Sequence, residues 1–396
     1  MQLVKVFVFA LLLGLLFGPL TSQAQIRLQT QSQNQTPWPK DEWPRKSPEQ
    51  AGFAKYKFNQ FLSTVFFPHL TFTTDSVVII KDGFLIHEDY TNGFDRERKH
   101  ALFSLGKTVI SALIGVMENE GLLQRHDPVH RYYPAISPSG SSNITVAQLL
   151  NMSSGIEWIE EDRDNLLQSD PWFALYSRAS YKDMPAWVAN HPRAHTPGTK
   201  FNYSSGDSAL LTAVIRGALG ENRYSSYPWE KLFAPLGMKT MAIERDSSGN
   251  LGLHGIAYSS PLDIAKIGLL YLEHGRVDGK ELWPADWVEF TNKMAPSQLN
   301  APDPNDRNLQ NNQAYGAQIW LNVKRPGDSE RPYPELPANA LLGLGTRGQI
   351  LLVLPDEKLI FVRTATDSEL SIKARKNYRH DIFKLLYGSL IQGARP

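Results

Sequence analysis

Phe103-Ser104-Leu105-Gly106-Lys107 opens an apolar run in which Val109, Ile110, Leu113, Ile114 and Met117 recur at helical spacing. The run ends near Gly121, so a helix is predicted between the two points. Ser104 and Lys107 then stand three positions apart on one face of its first turn, where an amine can reach a hydroxyl. A neutral lysine can take the serine proton, which is the Ser-Lys form of nucleophilic catalysis. The same residues also describe a capping serine beside a solvated lysine. The rest of the chain has to choose between the two.

Outward from this stretch, residues 77–80 and 84–86 read as two strands joined at Lys81-Asp82-Gly83. From there to about residue 300, helical pieces at 146–152, 208–219 and 264–274 alternate with loops rich in Pro and Gly. Strands are predicted again at 316–323, 350–354 and 359–364, and a closing helix at 381–391. Strands at both ends with helices between suggest one sheet built from both termini, with a mostly helical region (about 122–300) inserted. The Asn- and Pro-rich span 295–313 reads as a long surface loop that can border a pocket.

The 396 residues carry 41 basic and 40 acidic side chains, a balance with no electrostatic footprint for nucleic acid. Cysteine is absent, which excludes disulfides, thiol catalysis and Cys-based zinc sites. Lys5 followed by an apolar stretch at 6–17, Gly18-Pro19 and the small residues of Ser22-Gln23-Ala24 reads as a secretory signal. The stretch is short for a membrane span, which needs about 20 apolar residues. The expected organisation is a signal peptide at 1–24, a flexible polar spacer at 25–45 and one catalytic domain at 46–396. Export to a periplasm or to the outside follows, with no stable membrane insertion after cleavage.

No Gly-x-Ser-x-Gly elbow argues for an α/β-hydrolase, and no Walker-type loop for nucleotide chemistry. His126/His130 and His191/His195 have i, i+4 spacing, but Pro128 and Pro192 interrupt them and neither pair has a metalloprotease Glu. No metal or other cofactor is expected. Tyr203, after the Thr196-Pro197-Gly198 loop and before a helix, is a candidate proton relay. Gly343-Leu344-Gly345-Thr346-Arg347-Gly348-Gln349 leads into a strand, and its glycines allow the close backbone approach that an oxyanion donor needs.

Several further segments, in order, resemble the serine β-lactamase and penicillin-binding-protein superfamily. The likeness is closest to the branch of class C β-lactamases, related esterases and 6-aminohexanoate-dimer hydrolase. They are the Ser-x-x-Lys stretch at 103–107, Asp127-Pro128-Val129 with Tyr132 and Pro134, and TVAQLLNMSSGIEW at 145–158. Pro197-Gly198, Tyr203-Ser204-Ser205, Pro235-Leu236-Gly237-Met238 and the 261–287 segment follow, then Gly345 to Gln349. The resemblance implies an α+β fold of three layers, α/β/α, around an antiparallel sheet. It implies Ser104 as the acylated nucleophile, Lys107 as general base and Tyr203 as proton shuttle. The oxyanion hole would be the backbone N–H groups of Ser104 and Thr346. Ser205, Gly345, Arg347 and Trp172 are the implied substrate-binding positions.

Two departures from the family pattern bear on specificity. The Lys-Thr-Gly or His-Thr-Gly of β-lactamases and DD-peptidases is Gly343-Leu344-Gly345 here, without a cation. Tyr-x-Asn is Tyr203-Ser204-Ser205. Both remove groups that recognise β-lactams and leave the nucleophile alone, which favours hydrolysis of a small amide or ester substrate. A β-lactamase or DD-peptidase activity stays open through Arg347, which can stand in for the missing cation. A penicillin-binding-type protein that binds without turnover is the further alternative. Oligomeric state is not legible in the chain.

Overall fold

Alternate residues along the central strands face two different helical layers, and this alternation organises the molecule. The computed structural model describes residues 38–67, 72–136, 143–161, 170–171, 182–300, 303, 306–368 and 372–391. In chain order, helix α1 (Lys55–Val65) precedes the hairpin of β1 (Thr74–Lys81) and β2 (Phe84–Tyr90). Helices α2 (Gly106–Asn119), α3 (Val146–Leu150), α4 (Met184–Ala189), α5 (Ser205–Leu219) and α6 (Pro261–Leu272) fill the middle. Strands β3 (Trp320–Leu321), β4 (Leu341–Gly345), β5 (Gln349–Leu354) and β6 (Leu359–Ala365) follow, and α7 (Ile372–Gly388) closes the fold.

The strands form one sheet in the order β2-β1-β6-β5-β4-β3, antiparallel at every pairing. Its centre joins the two ends of the chain, with Val77 opposite Arg363 and Ile79 opposite Phe361. On one face Val77, Ile79 and Phe361 pack with Phe58 and Phe61 of α1 and with Ile382, Phe383 and Leu386 of α7. On the other, α6 lies so close that a Cβ on Gly268 would sit 2.9 Å from Ile360 Cγ2. The result is the expected α+β sandwich, helix–sheet–helix, with the helical region inserted between the two halves of the sheet. Residues from Pro39 onward make one compact unit.

Three elements differ from the sequence reading. The strand expected at 316–323 is only Trp320–Leu321. Upstream of it, the N–H groups of Ala317 and Gln318 are taken by Thr291 and Leu150 carbonyls, and Gln318 turns through φ 63°. The closing helix starts at Ile372 rather than 381, because the charge-rich 373–380 stretch hides its first turns from an apolar periodicity. Helix α1 was not anticipated at all; Phe58, Phe61 and Val65 form its buried stripe. The signal and most of the spacer lie outside the described residues. Among the described residues no helix is long and apolar enough to cross a membrane.

Candidate active site

The chain turns sharply before α2. Phe103 has φ 48°, in the left-handed region, and Phe103–Leu105 form a 3-10 turn that runs into the helix. Holding a non-glycine residue there costs on the order of 1–3 kcal/mol, a strain that surrounding packing must sustain. Gly106 is required next: a Cβ at this position would lie 2.2 Å from the Leu253 carbonyl oxygen. The helix start can therefore press against the 251–254 segment. Lys107 follows, with its side chain 1% exposed.

The Lys107 amine sits among oxygens. Nζ is 2.9 Å from Ser104 Oγ, 2.9 Å from Ser205 Oγ and 3.1 Å from the His254 carbonyl oxygen. Burial pulls its pKa down to about 8, against the opposing pull of the Glu160 carboxylate, 3.9 Å away. The amine thus exchanges its proton near neutral pH, as a base in proton transfer must.

Tyr203 closes the other side of Ser104. Its ring packs over the buried amine, with Lys107 Nζ 5.1 Å from the ring centre. Trp320 stacks on that ring at 4.8 Å and Tyr315 meets it edge-on at 5.4 Å. Burial, aided by the Glu160 charge, raises the phenol well above its usual pKa, so it stays protonated. The backbone of Tyr203 is held by the 306–313 segment. Its N–H donates to Asn311 Oδ1 at 2.7 Å, and its carbonyl accepts from Asn308 Nδ2 at 3.0 Å. Part of the long loop read from 295–313 thus clasps the backbone of Tyr203.

The expected substrate-binding residues are placed unevenly. Ser205 is 7% exposed and already engaged. Its N–H donates to Glu160 Oε2 at 2.7 Å and its hydroxyl to Oε1 at 2.5 Å, while it accepts from Lys107. It belongs to the lysine's surroundings, not to an open subsite. Gly345 ends β4 beside the nucleophile turn, where a Cβ would meet the Leu102 carbonyl oxygen at 2.3 Å. Thr346 and Arg347 follow it with exposed side chains. Among the described residues no hydrogen bond joins Arg347 to Ser104, Lys107 or Tyr203; its Nε donates to the Asp367 carbonyl at 3.4 Å. Trp172 lies outside the described residues.

The turn at 346–348 is locked from below. Gln349 Nε2 donates to the Ala365 and Thr346 carbonyls at 2.7 and 3.3 Å. Arg363 donates to the Gly348 carbonyl at 3.0 Å and grips Asp367 through two bonds of 2.9 and 2.8 Å.

Sequence reasoning missed Glu160 and His254. Glu160 follows the recognised 145–158 segment by two residues and, beside Glu161, looks like surface charge. His254 contributes through its backbone carbonyl, which carries no residue-type signal. No group of three or more potential metal ligands occurs among the described residues. His191 is occupied structurally, with Nδ1 3.0 Å from the Trp187 carbonyl oxygen.

A sequence model of the Beta-lactamase family matches residues 64–382. A 6-aminohexanoate-dimer hydrolase of Paenarthrobacter ureafaciens is 25% identical over 224 residues, 54% of this chain and 56% of that one. The match therefore spans little more than half of that relative. A Bacillus anthracis structure assigned provisionally as a 6-aminohexanoate-dimer hydrolase superposes with a TM-score of 0.65 at 20% identity, covering 88% of both chains. EstCE1, a hydrolase with promiscuous acyltransferase activity, superposes with a TM-score of 0.62 at 14% identity, over 84% of this chain and 97% of that one. At these identities the solved structures speak for the fold.

Proposed function

The chain belongs to the Beta-lactamase family of hydrolases, and on that premise we propose an exported serine hydrolase that opens an amide or ester bond through an acyl-enzyme on Ser104. The observation that carries the reading is the buried Lys107 amine, 2.9 Å from Ser104 Oγ, with its pKa pulled to about 8. Neutral Lys107 accepts the Ser104 proton as Oγ attacks the substrate carbonyl carbon. The N–H groups of Ser104 and Thr346 hold the oxyanion that forms. Tyr203, whose ring lies against the Lys107 amine, passes a proton to the departing amine or alcohol, and the carbonyl–heteroatom bond breaks. Water then attacks the ester of Ser104 by the same steps in reverse, with its proton leaving through Tyr203 and Lys107.

Linear amides and esters are favoured over β-lactams for two local reasons. The Gly343-Leu344-Gly345 strand offers no cation to a substrate carboxylate, and Arg347 turns its Nε to the Asp367 carbonyl. Ser205 is committed to Lys107 and Glu160, so it is not available where the family uses an Asn amide. The name of the Paenarthrobacter relative points in the same direction. Export rests on residues 1–24 and is tested by sizing the mature protein after secretion.

The experiment compares hydrolysis of p-nitrophenyl butyrate and of a chromogenic cephalosporin by wild type and Ser104→Ala. Ester turnover that disappears in the variant, with little cephalosporin turnover, is the expected result. Ester turnover retained by Ser104→Ala overturns the mechanism. Fast cephalosporin turnover makes the enzyme a β-lactamase, and one stoichiometric burst without turnover makes it a binding protein.

A further inference from the structure

Three oxygens surround the Lys107 amine, and their chemistry decides which way each proton points. The His254 carbonyl can only accept. Ser205 Oγ can donate or accept, and Glu160 decides which. An ionised carboxylate has no proton to give, and Glu160 Oε1 lies 2.5 Å from Ser205 Oγ. Its second oxygen takes the Ser205 backbone N–H at 2.7 Å and the Trp158 Nε1–H at 2.6 Å. With the Ser205 proton committed to Glu160, Ser205 has only lone pairs left for the lysine. A neutral amine carries two N–H bonds and one lone pair. The two N–H groups go to His254 O and Ser205 Oγ, and the lone pair is left facing the third neighbour, the Ser104 hydroxyl.

We propose that Glu160, outside the Ser-x-x-Lys and Tyr motifs, is a positioning residue that fixes the polarity of this network. By taking the Ser205 proton it turns the Lys107 lone pair onto Ser104. The protons then run one way, from Ser104 to Lys107 to Ser205 to Glu160. This rests on the reading of Lys107 as the base for Ser104. The arrangement has a cost: a carboxylate 3.9 Å from the amine favours the protonated, inactive lysine. Glu160, Tyr203, His254 and, behind Tyr203, Tyr315 are the titratable groups turned toward the amine. His254 is held neutral at working pH, its pKa pushed down to about 4 by burial and then by Lys107. Among the described residues, Glu160 is the carboxylate whose charge acts on the lysine.

Glu160→Gln tests both effects in the full chain. The amide keeps the shape and can still accept from Trp158 and the Ser205 N–H. Its NH2 donates to Ser205 Oγ, which sends the Ser205 proton toward the lysine. We expect kcat/KM for p-nitrophenyl acetate on the alkaline plateau to fall by about tenfold or more. We also expect the acid limb of the pH profile to move down by about one unit, because an opposite charge has been removed. A purely structural defect lowers the plateau and leaves the limb in place. An unmoved limb, or a plateau within about twofold of wild type, overturns the proposal. Ser205→Ala deletes the bridge and keeps the charge, so its plateau should fall while its limb does not move down. If Glu160→Gln fails to fold by circular dichroism, that variant decides alone, and a wild-type rate in it sinks the idea. Ser104→Ala run alongside separates the levels: activity surviving there defeats the underlying mechanism, whereas its loss with an unmoved Glu160→Gln limb defeats only the role of Glu160.

Discussion

Two cations in this molecule are equally buried and are treated in opposite ways. Lys107 and Arg363 each have about 1% of their surface exposed. The bonding neighbours of Lys107 are a serine hydroxyl, a second serine hydroxyl and a backbone carbonyl, with the nearest carboxylate held off at 3.9 Å. Arg363 is gripped by both oxygens of Asp367 at 2.9 and 2.8 Å, with Thr74 Oγ1 and the Gly348 carbonyl filling its other positions. Burial alone lowers both. For Lys107 it prevails and the pKa falls to about 8. For Arg363 the bonds and charge of Asp367 outweigh it, and the group is raised above its usual value. About one ångström of carboxylate distance separates a lowered amine from a structural ion pair. The first sits beside Ser104, and the second locks the turn that carries the Thr346 N–H.

Breaking the Lys107 side should have the largest effect. Ser104→Ala and Lys107→Ala are each expected to lower kcat by about 10³-fold or more, and the double variant to be no worse, because residues acting as a unit are not additive. Lys107→Arg sharpens the contrast. A guanidinium stays charged at every working pH, so this variant should be as inactive as Lys107→Ala; near-wild-type turnover would show that no neutral base is needed.

On the other side, Arg363→Met leaves Asp367 buried without its partner. Urea unfolding should show a loss of about 3–5 kcal/mol. Replacing Asp367 with Leu in the same chain should recover part of it, and an unchanged midpoint in the single variant refutes the ion-pair reading.

The pH dependence is smaller and has a defined sign. Lys107 acts when neutral, so kcat/KM should rise about tenfold per unit below its pKa and level off above about 8. A rate that falls between pH 6 and 8 contradicts a lysine base. The smallest effect expected is at the clasp. Asn311→Ala removes the acceptor for the Tyr203 N–H and should cost about 0.5–1.5 kcal/mol of stability. Turnover should fall only severalfold, with KM little changed.

Much of the architecture is written in local periodicity. The 3.6-residue spacing after Ser104 located α2, and the short apolar runs at 77–80 and 359–362 located the two central strands. Where periodicity is masked, the reading failed. The helix over 372–388 begins in a charged stretch, and Ala317 and Gln318 give their N–H groups to the Thr291 and Leu150 carbonyls and not to a neighbouring strand. In the site, Ser104, Lys107 and Tyr203 were recognisable because each sits in a short motif. Ser205 was identified with a different task from the one its contacts support, and Glu160 was passed over as surface charge.

The sequence by itself pointed to the helix that starts at Ser104, one sheet built from both ends of the chain, and a 343–345 strand without a cation. Each is a local pattern of residue type and spacing. Tertiary structure alone decided whether Lys107 is a base. Its pKa depends on the dielectric and the partners around Nζ, and two of those partners are 98 and 147 residues away in the chain. The carboxylate that orders them through Ser205 is 45 residues from that serine. Only folding brings these groups within hydrogen-bond reach, where a proton's position is settled over a few ångströms.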